Sequence, residues 1–260
     1  MASPQPPSTP RLPTPKDFPS SITLSITAPP SSQPPLNVLL LLHGLGDTDA
    51  PFHRLGQQLK LPYTCVLSLR GPTPVPALMT GSDAPSFHWG DDILFDPSTG
   101  GELDPDAGFA ATQTLVADAV IARGLLERCG FRRRDILLLG FGQGAMAALH
   151  LAALLDAPAE YAGVVAVGGR LPAATAALTP APAARARTPI LLLGGSRSRQ
   201  VTRPAVEAIR RVFAAVEYVK WAKAEDSMPG NREEMLPIMR FFARRLRSRE
   251  GVPEGAVEIG

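Results

Sequence analysis

Five residues constrain this chain more than any other stretch. Gly140-Phe141-Gly142-Gln143-Gly144 stands between the apolar run Ile136-Leu137-Leu138-Leu139 and the Ala- and Leu-rich residues 145–155. A short apolar run without alternation fits a strand buried on both faces. Glycines at alternate positions fit a tight turn where the backbone approaches a neighbour or takes a conformation that side chains disfavour. The Ala- and Leu-rich continuation favours a helix. A doubly buried strand feeding a tight turn and a helix belongs to a parallel α/β sheet.

The rest of the chain repeats that alternation. Strands are predicted at 37–43, 64–69, 136–139, 161–167, 189–193 and 216–221, with helices at 52–60, 108–129, 145–155, 204–215 and 232–247. Asn231 and Glu234 sit at capping-box spacing before the last helix, which Pro237 is expected to bend. Residues 170–188 read as a surface loop, and residues 71–107 are long enough to wall a pocket. The expected organisation is a tail over 1–35, one α/β domain over 36–248 and a short tail over 249–260. Eleven of the 28 prolines fall in the first 35 residues, which predicts a mostly extended, mobile segment. Within it Ile22, Leu24 and Ile26 alternate with polar residues, the pattern of an edge strand over 21–27. A proline-rich ligand for an SH3 or WW module at residues 4–15 is the functional alternative to a plain spacer.

Charge is uninformative here. The 26 basic and 24 acidic residues leave a formal net charge of +2, too little to argue for nucleic acid, anionic membranes or acidic substrates, and no nucleic-acid partner is expected. The longest apolar run, 38–42 with its neighbours, falls far short of the roughly 18 residues that span a bilayer. The N-terminus has no apolar signal-peptide core, so a soluble, cytoplasmic protein without a transmembrane segment is expected. Cys65 and Cys129 make no metal-ligand or redox spacing and read as buried free thiols. No metal and no cofactor is expected.

The five-residue turn has the outline of a nucleophile elbow, G-x-S-x-G, in which a serine sits on a strained strand-to-helix turn with its hydroxyl exposed. Gly142 stands where that serine would be. Leu42-His43-Gly44-Leu45-Gly46-Asp47-Thr48, after the first buried strand, resembles the HGLGDT turn of the acyl-protein thioesterase and carboxylesterase family of α/β-hydrolases. Arg70-Gly71-Pro72, the Trp89 region, Gly140-Phe141-x-Gln143-Gly144, Thr188-Pro189-Ile190 and Glu233-Glu234-Met235 extend the resemblance over about residues 38–247.

The resemblance implies the α/β-hydrolase fold and an oxyanion hole built from the backbone N–H groups of Leu45 and Gln143. It also implies a triad that this chain does not match. The nucleophile position is Gly142; the segment Gly194-Gly195-Ser196-Arg197-Ser198 places Ser198 on the acid; and Glu225-Asp226-Ser227-Met228-Pro229, with Asp226 on the base, holds no histidine. The histidine gap stands without the family as well. The order of such triads is Ser, acid, His along the chain, and the four histidines, His43, His53, His88 and His150, all lie within or before the helix that follows the elbow. His150 reads as a packing or solvent-facing residue of that helix and His43 as a structural hydrogen-bonding residue of its turn. His43, His88 and Trp89 are the cleft candidates.

Substitute chemistries are thin. Ser196 and Ser198 offer hydroxyls, but Arg197 and Arg199 cannot accept their protons. Glu225 and Asp226, with Asp47 or Asp91, form a possible carboxylate pair around a water, against solvated loop acids as the plainer account. Asp91, Asp92, Asp96, Asp104 and Asp106 match no calcium-loop spacing and read as turn residues. The Arg-rich end, Arg240 to Arg249, reads as a solvated face opposite Met239, Phe242 and Leu246. The expectation is a catalytically defective pseudoenzyme that binds an acyl chain, a lipidated peptide or a protein partner in an inherited cleft. The alternative is an active ester or thioester hydrolase using another nucleophile or a carboxylate-activated water.

Overall fold

The computed structural model describes residues 10–95, 101–178 and 180–251. Seven strands form one sheet: β1 (Leu24–Thr27), β2 (Asn37–Leu42), β3 (Thr64–Leu69), β6 (Ile136–Phe141), β7 (Gly163–Val167), β8 (Ile190–Gly194) and β9 (Val216–Lys220), in the order β1-β3-β2-β6-β7-β8-β9. β1 is antiparallel to β3, with Leu24 opposite Leu69, and the other pairings are parallel. The short strands β4 (Thr73–Pro74) and β5 (Phe87–His88) pair as a separate hairpin. This is the α/β-hydrolase fold, with a mostly parallel sheet and helices around it.

The helices are α1 (Asp49–Leu59), the short α2 (Ala77–Thr80), α3 (Ala110–Thr112, running on as Gln113–Arg128 with wider π-type winding), α4 (Gln143–Ala153), the short α5 (Ala173–Ala176), α6 (Arg203–Val212) and α7 (Arg232–Arg245). Side chains alternate across each strand, so the sheet builds two cores. Val38, Leu40 and Leu42 face one core with α3, α4 and α6, while Leu39 and Leu41 face the other with Phe52 of α1 and Phe241 of α7. β2, β3, β7 and β8 are buried along their whole length, which is why 38–42, 163–167 and 190–194 are apolar without alternation, while β2 and β3 also bury the polar Asn37, Thr64 and Ser68.

The N-terminal segment departs from the extended tail expected of it. From Pro10 onward it is a strap docked on α3: the Arg11 amide donates to the Cys129 carbonyl at 3.0 Å, and the Arg128 guanidinium donates to the Asp17 carbonyl at 3.0 Å. Phe18 is buried in the core, and its ring lies where a Cβ on Gly124 of α3 would sit. Phe18 and Leu24 give the segment enough apolar surface to hold it down. Residues 1–9, which include half of the stretch 4–15 weighed as an SH3 or WW ligand, lie outside the described residues. Asn231 caps α7 as expected, accepting the Glu234 amide at 2.9 Å, but the Glu234 carboxylate bonds Gly230 and Lys223 instead of closing the capping box on Asn231.

The Arg-rich end is largely solvated, as expected: Arg240, Arg244 and Arg249 are exposed, and the Arg244–Glu217 pair lies at the surface. Arg244 grips both Glu217 carboxylate oxygens at 2.7 Å, Arg247 bonds Asp135 at 3.3 Å and Arg249 bonds Gln33 at 3.0 Å. Phe242 is buried, whereas Met239 is 36% exposed and so does not share its side of the helix. Cys65 and Cys129 are buried free thiols, pushed up by burial to about 12 and about 11. No described helix is long and apolar enough to cross a membrane.

Candidate functional site

The C-terminal ends of β6, β7 and β8 meet at the elbow. The Gly142 amide donates to the Val167 carbonyl at 2.9 Å, and the Gly168 amide to Leu193 at 2.8 Å, so adjacent strand ends hold the turn. Gly142 has φ +53° and ψ −118°, a conformation that side-chain-bearing residues rarely take, and it directly precedes α4. The flanking glycines are there for space. A Cβ on Gly140 would strike the Gly144 carbonyl, and one on Gly144 would strike the carbonyls of Leu42 and His43. At Gly142 itself a Cβ would meet only the Gly44 Cα, at 3.9 Å. Backbone strain, and not crowding, is therefore what a serine would face there.

Two amides border this opening. Gln143 is the first residue of α4, where N–H groups have no intrahelical acceptor and the helix dipole adds positive potential. Leu45 lies in the turn after β2, closed by the Asp47 amide on the Gly44 carbonyl at 3.2 Å and the Gly46 amide on the Phe87 carbonyl at 2.9 Å. Neither the Leu45 nor the Gln143 amide is among the donors that close these turns. The Gln143 side chain is locked: its Oε1 accepts the Trp89 amide at 2.8 Å and its Nε2 donates to the Pro105 carbonyl at 3.0 Å. Trp89 and Pro105 are thereby both tied to the elbow helix.

His43, His88 and Trp89, read as cleft candidates, lie beneath the site as supports. His43 and Trp89 are fully buried and His88 is 1% exposed. His43 Nε2 accepts the Gly71 amide at 2.8 Å, which puts the ring proton on Nδ1, 2.7 Å from the Gly44 carbonyl. Both nitrogens are thereby engaged, which leaves none free for catalysis, and burial pushes the ring below its ordinary value. The Trp89 indole donates to the His43 carbonyl at 2.8 Å. His88 Nε2 is buried with no partner among the described residues. His150 packs as expected, 5.8 Å from the Phe109 ring centroid and 2.7 Å from the Thr175 hydroxyl.

Across the site, two loops are zipped together. The Ser196 and Arg197 amides donate to the carbonyls of Lys223 and Ala224 at 2.7 and 2.8 Å. That pairing brings Ser198 to Asp226. The Ser198 hydroxyl donates to Asp226 Oδ2 at 2.5 Å and accepts the Val201 amide at 2.7 Å, while Asp226 Oδ1 accepts the Gly195 amide at 2.9 Å. Gly168 and Gly169 stand between this pair and the elbow, Gly168 against the Asp226 side chain and Gly169 against the Gly142 carbonyl. Ser198, Asp226, Glu225, Arg197, Arg199 and Glu102 line a hollow of about 630 Å³.

The other acids do structural work. Asp91 accepts the Ala110 and Ala111 amides at 2.8 and 2.7 Å and so caps α3, Asp47 accepts the Thr48 amide at 2.7 Å, and Asp106 binds Arg170 at 2.7 Å. Asp96 lies outside the described residues. Among the described residues no three His, Cys, Asp or Glu side chains cluster as a metal site.

Sequence reading missed Lys223. Its ammonium donates to Glu234 at 2.9 Å and to the Ser227 and Met228 carbonyls at 2.9 and 3.1 Å, and it sits 4.0 Å from the Trp221 ring centroid. It thereby shapes the loop that presents Asp226. No spacing signal marks such a residue.

With the elbow, the Leu45 turn and the facing loops in place, the pattern of the phospholipase/carboxylesterase family matches residues 25–245. The chain belongs to that family. An uncharacterised hydrolase of Schizosaccharomyces pombe is 36% identical over 136 residues, 52% of this chain and 54% of that protein. A Mycosarcoma maydis protein also described as an uncharacterised hydrolase is 37% identical over 125 residues, 47% of this chain and 44% of its own length. The matched part thus spans about half the length of these curated relatives. Among solved structures, Zea mays acyl-protein thioesterase 2 superposes with a TM-score of 0.59 at 19% identity, covering 86% of this chain and 99% of its own. That likeness is one of fold.

Proposed function

We propose that this family member binds an acyl chain or acylated peptide at the elbow without hydrolysing it. The observation that carries the reading is the Ser198–Asp226 hydrogen bond: the residues on the family's acid and base positions engage each other, beside an elbow whose central residue, Gly142, has no nucleophile. A serine triad needs an imidazole to take the hydroxyl proton, and both nitrogens of His43 are already engaged. The Leu45 and Gln143 amides suit the carbonyl or carboxylate oxygen of such a ligand. The acyl-protein thioesterase among the structural neighbours suggests the acyl class. A protein partner seated on the same loops is the fallback if no acyl ligand binds.

The test pairs activity with binding. Purified chain should not label with a fluorophosphonate and should turn over p-nitrophenyl butyrate and a palmitoyl thioester only at traces, since oxyanion stabilisation alone leaves roughly 10³–10⁴-fold acceleration. A fatty acid or acylated peptide at about 100 times its Kd should raise stability by about 2.7 kcal/mol in thermal shift. Turnover typical of working esterases would overturn the proposal. A carboxylate-activated water is the second reading, favoured by Glu225 and Asp226 lining the same hollow. It is discarded if Asp226→Asn and Glu225→Gln leave any measured hydrolysis unchanged.

A further inference from the structure

Thr14 combines exposure, extended backbone and a following proline in a way that no other described Thr-Pro pair does. Its φ of −127° and ψ of 161° are extended, the residue is exposed, and Pro15 follows as the first residue of the 3-10 turn Pro15–Asp17. Thr188, before Pro189, is fully buried and accepts the Tyr161 amide; Thr73, before Pro74, is held in the β4–β5 hairpin. A proline-directed protein kinase takes a hydroxyl residue in extended backbone with proline directly after it; Thr14 meets that at the residue itself, and the 3-10 turn Pro15–Asp17 behind it has to open for the kinase to seat the chain.

The hydroxyl also sits at the latch of the strap. Thr14 Oγ1 donates to Asp17 Oδ2 at 2.9 Å, the Thr14 amide donates to the same oxygen at 2.8 Å, and Arg11 holds the carboxylate by two guanidinium bonds of 2.9 and 2.5 Å. The Asp17 side chain is only 8% exposed. Around it the strap is fixed by Arg128 on the Asp17 carbonyl, by Arg11 on the Cys129 carbonyl and by Phe18 in the core against Gly124. All three holds are on the C-terminal part of α3.

We propose that Thr14 is a phosphorylation site for a proline-directed protein kinase, and that phosphate there releases the strap from α3. In the transfer the Thr14 oxygen forms a bond to the γ-phosphorus of ATP as the bridging bond to the β-phosphate breaks. ADP leaves, and the hydroxyl proton passes to the kinase's own base. The product loses the hydrogen that Asp17 accepts and gains about −1.5 to −2 charges beside an enclosed carboxylate, with Arg11 left to serve two anions. Repulsion and the lost bond act in the same direction, opening the strap at its turn. The freed helix reaches the elbow: Thr112 at its start donates to the Trp89 carbonyl at 2.5 Å, and the Trp89 amide donates to Gln143.

The test uses the full chain with a purified mitogen-activated kinase and Mg-ATP, mapping phosphate by mass spectrometry and timing native tryptic cleavage after Arg11. The expected result is phosphate on Thr14, retained at that position in Thr14→Ser and lost there in Thr14→Val, with cleavage after Arg11 about tenfold faster in the phosphorylated chain. The unphosphorylated Thr14→Val chain, lacking only the hydroxyl bond, should be cleaved more slowly than the phosphorylated wild type. A kinase that labels a free peptide of residues 10–20 but leaves Thr14 of the folded chain unmodified overturns the site. A phosphorylated chain whose Arg11 bond is cut no faster overturns the release.

Discussion

Ser198 and Asp226, 28 residues apart in the chain, share a 2.5 Å hydrogen bond on one side of the elbow. The serine oxygen also takes the Val201 and Gln200 amides, at 2.7 and 3.2 Å, so its lone pairs are engaged as well as its proton. Removing the hydroxyl leaves one carboxylate oxygen and two amides without a partner. Ser198→Ala should therefore destabilise the chain by about 1–3 kcal/mol, read as a shifted urea midpoint at unchanged slope. A midpoint equal to wild type would mean that water replaces the serine freely.

Gly142→Ser tests the elbow. The added Cβ meets no clash, so the chain should fold, with a loss of about 1–3 kcal/mol from the φ of +53°. No gain in p-nitrophenyl ester turnover is expected, because the segment Glu225 to Pro229 holds no histidine and the Asp226 carboxylate is taken up by Ser198 and Gly195. Hydrolysis restored by this single change would show that a base is present after all.

Gly140→Ala and Gly144→Ala should behave differently from Gly142→Ser although all three lie in one turn. Each places a Cβ into backbone that cannot move without separating β6 or β2 from α4. A loss of about 3 kcal/mol or more, or no soluble protein, is expected. Gly46→Ala, where nothing lies within 4 Å of the added Cβ but φ is +80°, is the control for strain alone.

Acid should weaken the fold before the carboxylates titrate. His43, His88 and His150 are each held below the ordinary value of 6.5 by burial, so the unfolded chain binds protons that the folded chain refuses. Stability then falls as pH drops below about 6.5 and continues to fall toward the folded values. The melting temperature at pH 5.5 should lie below that at pH 8, with a smaller difference in His150→Gln. A flat or rising profile would contradict the burial of these rings.

Lys223→Ala should loosen the loop that carries Asp226 with little change elsewhere. Its bonds to the Ser227 and Met228 carbonyls lie within that loop, and its bond to Glu234 ties the loop to the first turn of α7. Hydrogen exchange of the Gly195 amide, which donates to Asp226, should speed up about tenfold, while amides of β7 keep wild-type rates.

The parallel sheet, the elbow and the turn after β2 were legible in the sequence because each follows from local rules. Unbroken apolar runs such as Val38 to Leu42 require burial on two faces, and Gly140 and Gly144 answer contacts made within one strand–turn–helix unit. The place of the elbow in the chain, and the glycine at its centre, are legible in the sequence alone. Partners distant in sequence could not. Gln143 meets Trp89 across 54 residues, Ser198 meets Asp226 across 28, and Arg128 meets the strap across 111. Those contacts depend on the paths of loops over the sheet edge, where pattern carries no period. They turned His43 and Trp89 from cleft residues into buried supports and the proline-rich segment from a tail into a strap. The sequence by itself determined the scaffold and the absence of a hydroxyl at Gly142, since both reside in backbone sterics and hydrophobic periodicity. Tertiary structure alone decided that Ser198 and Asp226 would bond each other, because only the pairing of the loops after β8 and β9 brings a donor and an acceptor from separate crossovers within reach.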